Sequence, residues 1–297
     1  MAIVKMKRLR LLALTRDRDA LLAALLHDGC VEVSEPSQAL MEEAGFLKRE
    51  PAALAQAKDA QGELTAAIKT LNRWAAQKKG GLFSPREEMS EGELLDQGAL
   101  NAALTLARDL NERAKMVGAL AARAARLEAD RLALEPWQAY DVPLEIKGTK
   151  TVSILLGTVP STVDFSAMAG AVEEAAGAVQ VHLLSTGRQQ HCLEILCHRS
   201  CEQAALDALR TYGFSFAQMK DLTGTVEENI LRIREEMQDA QAQRQQVQED
   251  IKALGARKRE LQIALDRIAQ VAATESAKER LLNAGAVLCL DGWVPAE

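Results

Sequence analysis

Hydrophobic residues recur at heptad spacing along the last third of the chain. Starting at Val226, alternating steps of four and three residues meet apolar side chains at eleven of thirteen positions as far as Ile268. The two exceptions are Arg244 and Lys258. A spacing held over about six heptads is typical of a coiled-coil seam. The pattern therefore predicts a long return helix within residues 223–275.

Two further helical stretches precede this seam and occupy residues 36–135. One covers 37–78, with Gly45, Pro51 or Gly62 expected to break or bend it. The other covers 94–135, and a loop at 79–93 separates the two. Helix 94–135 and the return helix have similar lengths and opposite senses, which favours an antiparallel pair. The pattern leaves open whether the first helix lies along part of the seam as a third helix of the coiled coil.

Shorter segments with strand and helix patterns flank these helices and predict two small α/β lobes. The proximal lobe combines residues 1–35 with 276–297, because neither end can bury a sheet alone. The distal lobe covers 136–222. Its predicted elements are a strand at Thr151–Leu156, a turn at Gly157–Pro160, a helix at Asp164–Ala176, strands at Val179–Leu184 and Cys192–Cys197, and a helix at Ser200–Tyr212. The predicted fold class is α+β, an elongated dumbbell whose lobes are joined by a long antiparallel α-helical coiled coil.

Composition and charge exclude several classes of protein. Hydrophobic residues make up 48% of the chain and aromatic residues only 3%, which suits long helices better than a mixed core. The net charge of −6 disfavours a nucleic-acid partner. No apolar run approaches the ~20 residues of a membrane span, and the N-terminus does not have the pattern of a signal peptide. An odd count of five cysteines fits reduced thiols in the cytosol.

Candidate chemistry is sparse, since the chain contains neither a phosphate-binding loop nor a nucleophile elbow. The only cluster with metal or nucleophilic potential is His182, His191, Cys192, Cys197, His198 and Cys201. Cys192 and Cys197 are separated by an odd number of residues on one predicted strand, so their side chains point to opposite faces. We therefore expect no metal, no cofactor and no catalysis, and keep a metal- or thiol-dependent enzyme as the alternative.

Several short segments resemble a known family, the cytosolic half of the a subunit, called subunit I in prokaryotes, of V-type and A-type rotary ATPases. The similar segments occur in the family's order and are spaced by heptads of matching length. They are Ala2–Leu9 with Gly29–Glu32, Leu155–Pro160, Leu222–Val226 and Gly292–Pro295. Members of the family continue into a membrane domain that carries the ion channel, so the resemblance implies that this chain is the soluble half, cut at the domain boundary.

The resemblance implies a non-catalytic stator arm at the cytoplasmic face of the membrane, in a complex that couples ATP to proton or other ion transport. Its expected partners are peripheral-stalk heterodimers, with membrane-sector and central-stalk subunits in the intact complex. Exposed helices of the two lobes are the expected contacts, and we predict partner-binding roles for Arg16, Arg18, His27, Asp164, Glu173, Glu202 and Arg210. A general coiled-coil scaffold outside any rotary ATPase is the alternative.

Overall fold

The structure is a computed structural model that describes residues 4–35, 48–49, 53–75, 90, 92, 94, 96–219 and 222–296. The helices are α1 (Arg18–Asp28), α2 (Leu54–Trp74), α3 (Gln97–Leu134), α4 (Phe165–Ala176), α5 (Glu202–Thr211), α6 (Val226–Ala253) and α7 (Lys258–Glu279). The strands are β1 (Met6–Leu14), β2 (Glu32–Val33), β3 (Lys48–Arg49), β4 (Val152–Pro160), β5 (Val179–Thr186), β6 (Gln190–His198), β7 (Ser215–Phe216), β8 (Leu282–Asn283) and β9 (Val287–Pro295). The α+β class predicted from the sequence is confirmed.

The chain divides into two compact units. Unit 1 combines Met1–Lys115 with Gln248–Glu297, and unit 2 is Met116–Val247. Both boundaries fall inside helices, because α3 passes from unit 1 into unit 2 and α6 passes back. Each unit contains one antiparallel sheet.

The sheet of unit 1 has the order β1-β9-β8-β3, with β2 also paired to β9. Strand β1 pairs with β9 along its whole length, from Met6 opposite Pro295 to Leu14 opposite Val287. Helix α1 covers one face of this sheet, where Leu22 packs with Leu281 and Leu290. The helix ends at Gly29, whose φ of 63° is the left-handed conformation that glycine adopts without a steric penalty.

Three helical segments pack beside one another in unit 1. Helix α2 lies against α7 and buries Leu64, Ala67 and Leu71 completely. The first half of α3 joins them through Glu63, whose backbone oxygen accepts a hydrogen bond of 2.9 Å from the Asn111 side chain. The first predicted helix therefore lies beside the return helix as a third helix of the bundle. The sequence pattern left this arrangement open.

The first outgoing helix is shorter than predicted over 37–78. Lys48 and Arg49 form strand β3, paired with Asn283 and Leu282, where the sequence predicted helix. Pro51 follows two residues later, and proline disfavours helical conformation in the residue before it and within a helix. Gly62 lies inside α2 without interrupting it. The predicted break at Gly45 and most of the predicted loop 79–93 lie outside the described residues.

The return helix is also interrupted, contrary to the continuous helix predicted from the heptads. Residues Leu254–Arg257 form a 3-10 turn between α6 and α7. Gly255 is buried there, and a Cβ atom on it would lie 2.8 Å from the Ala75 Cβ. Each 3-10 residue advances by about 120° instead of ~100°, so the buried face shifts after the turn. Of the two basic seam positions, Arg244 is exposed and Lys258 is half-buried.

The sheet of unit 2 has the order β5-β6-β4-β7. Helices α4 and α5 pack on one face, over a core that includes Met168, Leu193 and Leu209. The other face packs on the ends of α3 and α6, with Trp137, Tyr140 and Ile230 at the centre. Helix α4 begins as predicted, because the Asp164 carboxylate accepts a hydrogen bond of 2.9 Å from the Ala167 amide.

The turn predicted at Gly157–Pro160 is wrong, because β4 continues through Pro160. Gly157 and Thr158 pair with Phe216 and Ser215 of β7, which the sequence analysis did not predict. The strand contains glycine here because a Cβ atom at 157 would collide with the Phe214 ring and lie 2.6 Å from the Ser215 backbone oxygen. Glycine therefore permits a close approach between two backbones.

We predict that Gly157→Ala lowers the free energy of unfolding of unit 2 by about 1–3 kcal/mol, the usual cost of overpacking. The matched control is Gly170→Ala in α4, where nothing lies within 4 Å of the added Cβ. That change should raise stability by about 0.5–1 kcal/mol, since alanine is the better helix former. Urea denaturation of both variants checks this. Equal effects of the two substitutions would contradict the close-packing explanation.

Candidate partner-binding surfaces

The predicted contact residues of unit 1 lie at the two ends of α1. Arg16 precedes the helix in a 3-10 turn, with its side chain 80% exposed and 3.6 Å from the Asp17 carboxylate. Arg18 is half-buried and donates a 3.0 Å hydrogen bond to Asp19. His27 is exposed in the last turn, about 14 Å from the helix start at ~1.5 Å per residue. The structure therefore does not bring the three residues together.

A shallow apolar groove runs between α1 and α7, and the sequence analysis did not identify it. Its volume is 330 Å³. Helix α1 contributes leucines, of which Leu26 is 48% exposed, and α7 contributes the small residues Ala273, Ser276 and Ala277. Arg280 lies at its end and donates a 2.6 Å hydrogen bond to the Val33 backbone oxygen.

The predicted contact residues of unit 2 differ in their exposure and in whether their side chains already bind another group. Asp164 is exposed but its carboxylate caps α4, and Glu173 is exposed on the same helix. Arg210 is exposed on α5 and forms a 2.8 Å ion pair with Asp207. Glu202 is half-buried, and its carboxylate accepts a 2.6 Å hydrogen bond from the Ser153 hydroxyl. Glu173 and Arg210 therefore offer accessible charge on the helical side of the unit, whereas Glu202 holds α5 to β4.

A cavity of 710 Å³ adjoins Glu202 at the β4 edge of unit 2. Its polar side chains are already engaged: Lys147 donates to the Leu144 backbone oxygen at 2.7 Å, and Arg199 donates to the Thr149 backbone oxygen. Tyr140 also lines it, and burial raises the pKa of this phenol to about 12. Lys147 and Arg199 are therefore held by backbone oxygens and Glu202 by the Ser153 hydroxyl, so these three charged groups are engaged within the fold.

The histidine and cysteine cluster is divided between the two faces of the sheet. Cys197 belongs to the core beneath α4 and α5, whereas Cys192 belongs to the core around Trp137. Burial raises the pKa of both thiols, which keeps them protonated and weakly nucleophilic. Within the described ranges, no group of three or more possible metal ligands comes together. The alternative of a metal or thiol enzyme gains no support from this geometry.

A charged cluster lies on the face of the unit 1 sheet opposite α1, and the sequence patterns did not predict it. Asp291 on β9 is only 6% exposed and accepts hydrogen bonds from Arg8 at 3.0 Å and Arg10 at 2.8 Å. The Arg10 hydrogen bond, followed by that of Arg8, holds the pKa of Asp291 below its usual value. The alternation of Arg8 and Arg10 could have indicated one shared face, but their acidic partner lies 281 residues further along the chain from Arg10.

The chain is similar in fold to a solved structure described as the cytoplasmic N-terminal domain of subunit I, homolog of subunit a, of V-ATPase. The similarity covers 98% of this chain and 93% of that chain, with a TM-score of 0.50 and 19% sequence identity. No protein-family model matches the sequence, and no curated protein does. The resemblance drawn from the sequence motifs is therefore confirmed at the level of the fold. In the described part of the chain, no helix is both long and apolar enough to cross a membrane.

We predict that the Asp291 cluster makes unit 1 sensitive to acid. The pKa of Asp291 is lowered in the folded state. The contribution of this carboxylate to stability is therefore complete above the unfolded pKa of about 4 and is lost as the pH falls through the folded pKa. Asp291→Asn should lower the stability of unit 1 at pH 7 by about 1–3 kcal/mol, the value of hydrogen bonds to a charged group. Hydrogen exchange at the Leu290 amide measures this locally.

The difference between the Asn variant and the original chain should shrink as the pH falls through the lowered pKa of Asp291, where its carboxylate becomes protonated. Asp207→Asn is the matched control, because its partner Arg210 is exposed in unit 2. It should change stability by less than about 0.5 kcal/mol. A difference at Asp291 that stays constant with pH would show that its charge does not stabilise the sheet.

Proposed function

We propose that this chain is the cytosolic arm of a rotary ATPase stator, which anchors peripheral stalks to the membrane sector so that rotor torque is coupled to ion translocation. The observation that carries the proposal is the extent of the fold similarity, which takes in both units and the helices between them, 98% of the chain in all. A coiled coil alone is common to many scaffolds. Two α/β units connected by an outgoing and a returning helix are a more specific arrangement.

For the arm itself we propose a dumbbell with an antiparallel coiled coil. Its lobes are residues 1–35 with 276–297 and residues 136–222, and its helices occupy 36–135 and 223–275. Helix α3 has 38 residues, roughly 57 Å at ~1.5 Å per residue. Ion pairs join α3 to α6 in each unit, Arg113 to Asp250 at 3.0 Å and Arg123 to Glu236 at 2.9 Å.

Apolar packing is the larger source of support for this paired-helix arm. Leu110, Val117 and Leu120 of α3 are buried, as are Ala240 and Ile251 of α6. Exposed ion pairs each contribute only ~0–1 kcal/mol, so they set register more than stability. A pair of helices packed along an apolar face resists bending better than a single helix, and resistance to bending is what a torque-bearing stator requires.

Partner binding is proposed to divide between the two lobes, with peripheral-stalk heterodimers as the direct partners at the cytoplasmic face of the membrane. The exposed side chains of Arg16 and His27 in unit 1, and of Glu173 and Arg210 in unit 2, are the proposed contacts. Membrane-sector and central-stalk subunits would be neighbours in the intact complex. No catalysis by this chain is proposed, because the work of a stator is mechanical.

A binding assay with purified peripheral-stalk heterodimer tests the proposal. Arg16→Glu in unit 1 and Glu173→Lys in unit 2 should each weaken binding about fivefold or more, because charge reversal at an interface places like charges together. The matched control is Arg244→Glu, a reversal at an exposed position on α6, which should leave affinity unchanged. Failure of the unaltered chain to bind the heterodimer would contradict the stator proposal. It would favour the alternative function, a general coiled-coil scaffold outside any rotary ATPase.

A further inference from the structure

Among the described residues, strand β1 is an edge of the unit 1 sheet and pairs only with β9. Hydrogen bonds from the Ala296 amide to the Lys5 oxygen and from the Thr15 amide to the Ala286 oxygen fix the register at both ends of its pairing with β9. In an antiparallel pair, hydrogen-bonded and non-hydrogen-bonded positions alternate. The odd-numbered residues of β1 therefore bond to β9. The N–H and C=O groups of the even-numbered residues point away from the sheet, at Met6, Arg8, Arg10, Leu12 and Leu14.

These outward backbone groups bond to nothing within the described part of the chain. The strand is nine residues long, its register with β9 runs without a shift, and it contains no proline. Proteins usually shorten, bulge or cover such edges or place charged residues along them, and in the described part of the chain β1 has only the charged residues. The edge strand of the other sheet shows this, because β5 has a register shift between Leu183 and Ser185. The β1 edge is therefore an intact template for one more strand.

The side chains along this edge divide into a basic half and an apolar half. Lys7, Arg8 and Arg10 lie in the first half of β1, and Lys5 immediately precedes it. Asp291 is the acidic partner of the two arginines. Leu12 and Leu14 in the second half are 68% and 42% exposed. Residues two apart on a strand share a face, so Leu12 and Leu14 form a small exposed apolar patch on one side of β1.

We propose that the β1 edge binds an extended acidic and apolar segment of a partner protein, which adds to the sheet as a further strand. The backbone groups of β1 would supply the hydrogen bonds of this strand addition. The four cations would select carboxylates opposite the first half of β1, and Leu12 and Leu14 would select apolar side chains opposite the second. This inference does not depend on the proposed stator function.

Two other occupants fit the edge less well. A second copy of this chain, paired antiparallel along all of β1, would place Arg10 opposite Arg10, and like charges directly opposite are destabilising. An anionic membrane would match the charges and leucines, but hydrocarbon cannot satisfy the outward backbone groups. A peptide strand satisfies the backbone, the charge and the apolar side chains together.

Hydrogen exchange with a synthetic peptide tests the site directly. The probe is a peptide of about nine residues with glutamates in one half and valines in the other, and the matched control has lysines in place of the glutamates. The glutamate peptide should slow exchange at least about tenfold at the amides of Met6, Arg8, Arg10, Leu12 and Leu14, since each would gain a hydrogen bond. The lysine peptide should leave these amides unchanged. Equal protection by both peptides, or none by the glutamate peptide, would overturn the proposal.

Substitutions at one position separate the backbone contribution from that of the side chain. Leu12→Pro removes an outward N–H and leaves the bonds to β9 intact, so it should abolish peptide binding without unfolding unit 1. Leu12→Thr keeps the N–H and should weaken binding less than about threefold. Should the proline variant fail to fold, Lys5→Glu with Lys7→Glu provides a second test, with an expected loss of about tenfold or more.

Vesicles separate a membrane from a peptide partner. The chain should show no more binding to vesicles of anionic phospholipid than to neutral ones once about 0.15 M salt screens the surface charges. Strong binding to anionic vesicles that survives Leu12→Pro would assign the β1 surface to a membrane and overturn the strand proposal. A concentration-dependent dimer that the glutamate peptide cannot dissociate would overturn it in favour of a second copy.

Discussion

The antiparallel pairing of β1 with β9 is the constraint on which the rest of the fold depends. It joins the first and last described strands, and it places Leu290 beneath α1 against Leu22. Neither strand could form a stable sheet alone. Because both ends of the chain belong to unit 1, the intervening residues must enter unit 2 and return. Helices α3 and α6 make those two crossings, so an outgoing and a returning helix follow from the closure of one sheet.

Unit 2 depends in turn on a sheet that buries both of its faces. Strand β6 directs Leu193, Ile195 and Cys197 to α4 and α5, and directs Cys192 to the ends of α3 and α6. This two-sided packing explains why cysteine and histidine residues close together in sequence do not form a site. The polar groups near them serve the fold, as the Glu202 bond to Ser153 illustrates. Among the charged side chains that this unit leaves accessible, Glu173 and Arg210 lie on the outer sides of its helices.

Sequence periodicity predicted what local patterns determine, and it missed what depends on distant residues. The start of α4 follows from Asp164 as an N-cap, and the end of α1 follows from Gly29, so both were predictable. The extension of β4 past Gly157 requires Phe214 and β7, and the 3-10 turn at Gly255 requires Ala75. The local pattern predicts an exposed helix face for Glu202. It misses the hydrogen bond from Ser153, because that bond joins residues 49 positions apart. Conformation at these positions is set by tertiary packing, which single-residue preferences do not encode.

We propose that the paired helices hold the two units apart as an arm. A single compact globule of this length would have a radius of gyration near ~19 Å. Two lobes separated by helices of about 57 Å should give a value of roughly 30 Å. Small-angle X-ray scattering of the isolated chain at low concentration measures this quantity directly. A radius of gyration near ~30 Å, with a pair-distance distribution that has separate within-lobe and between-lobe maxima, is the result we predict. A value near ~19 Å would contradict the account.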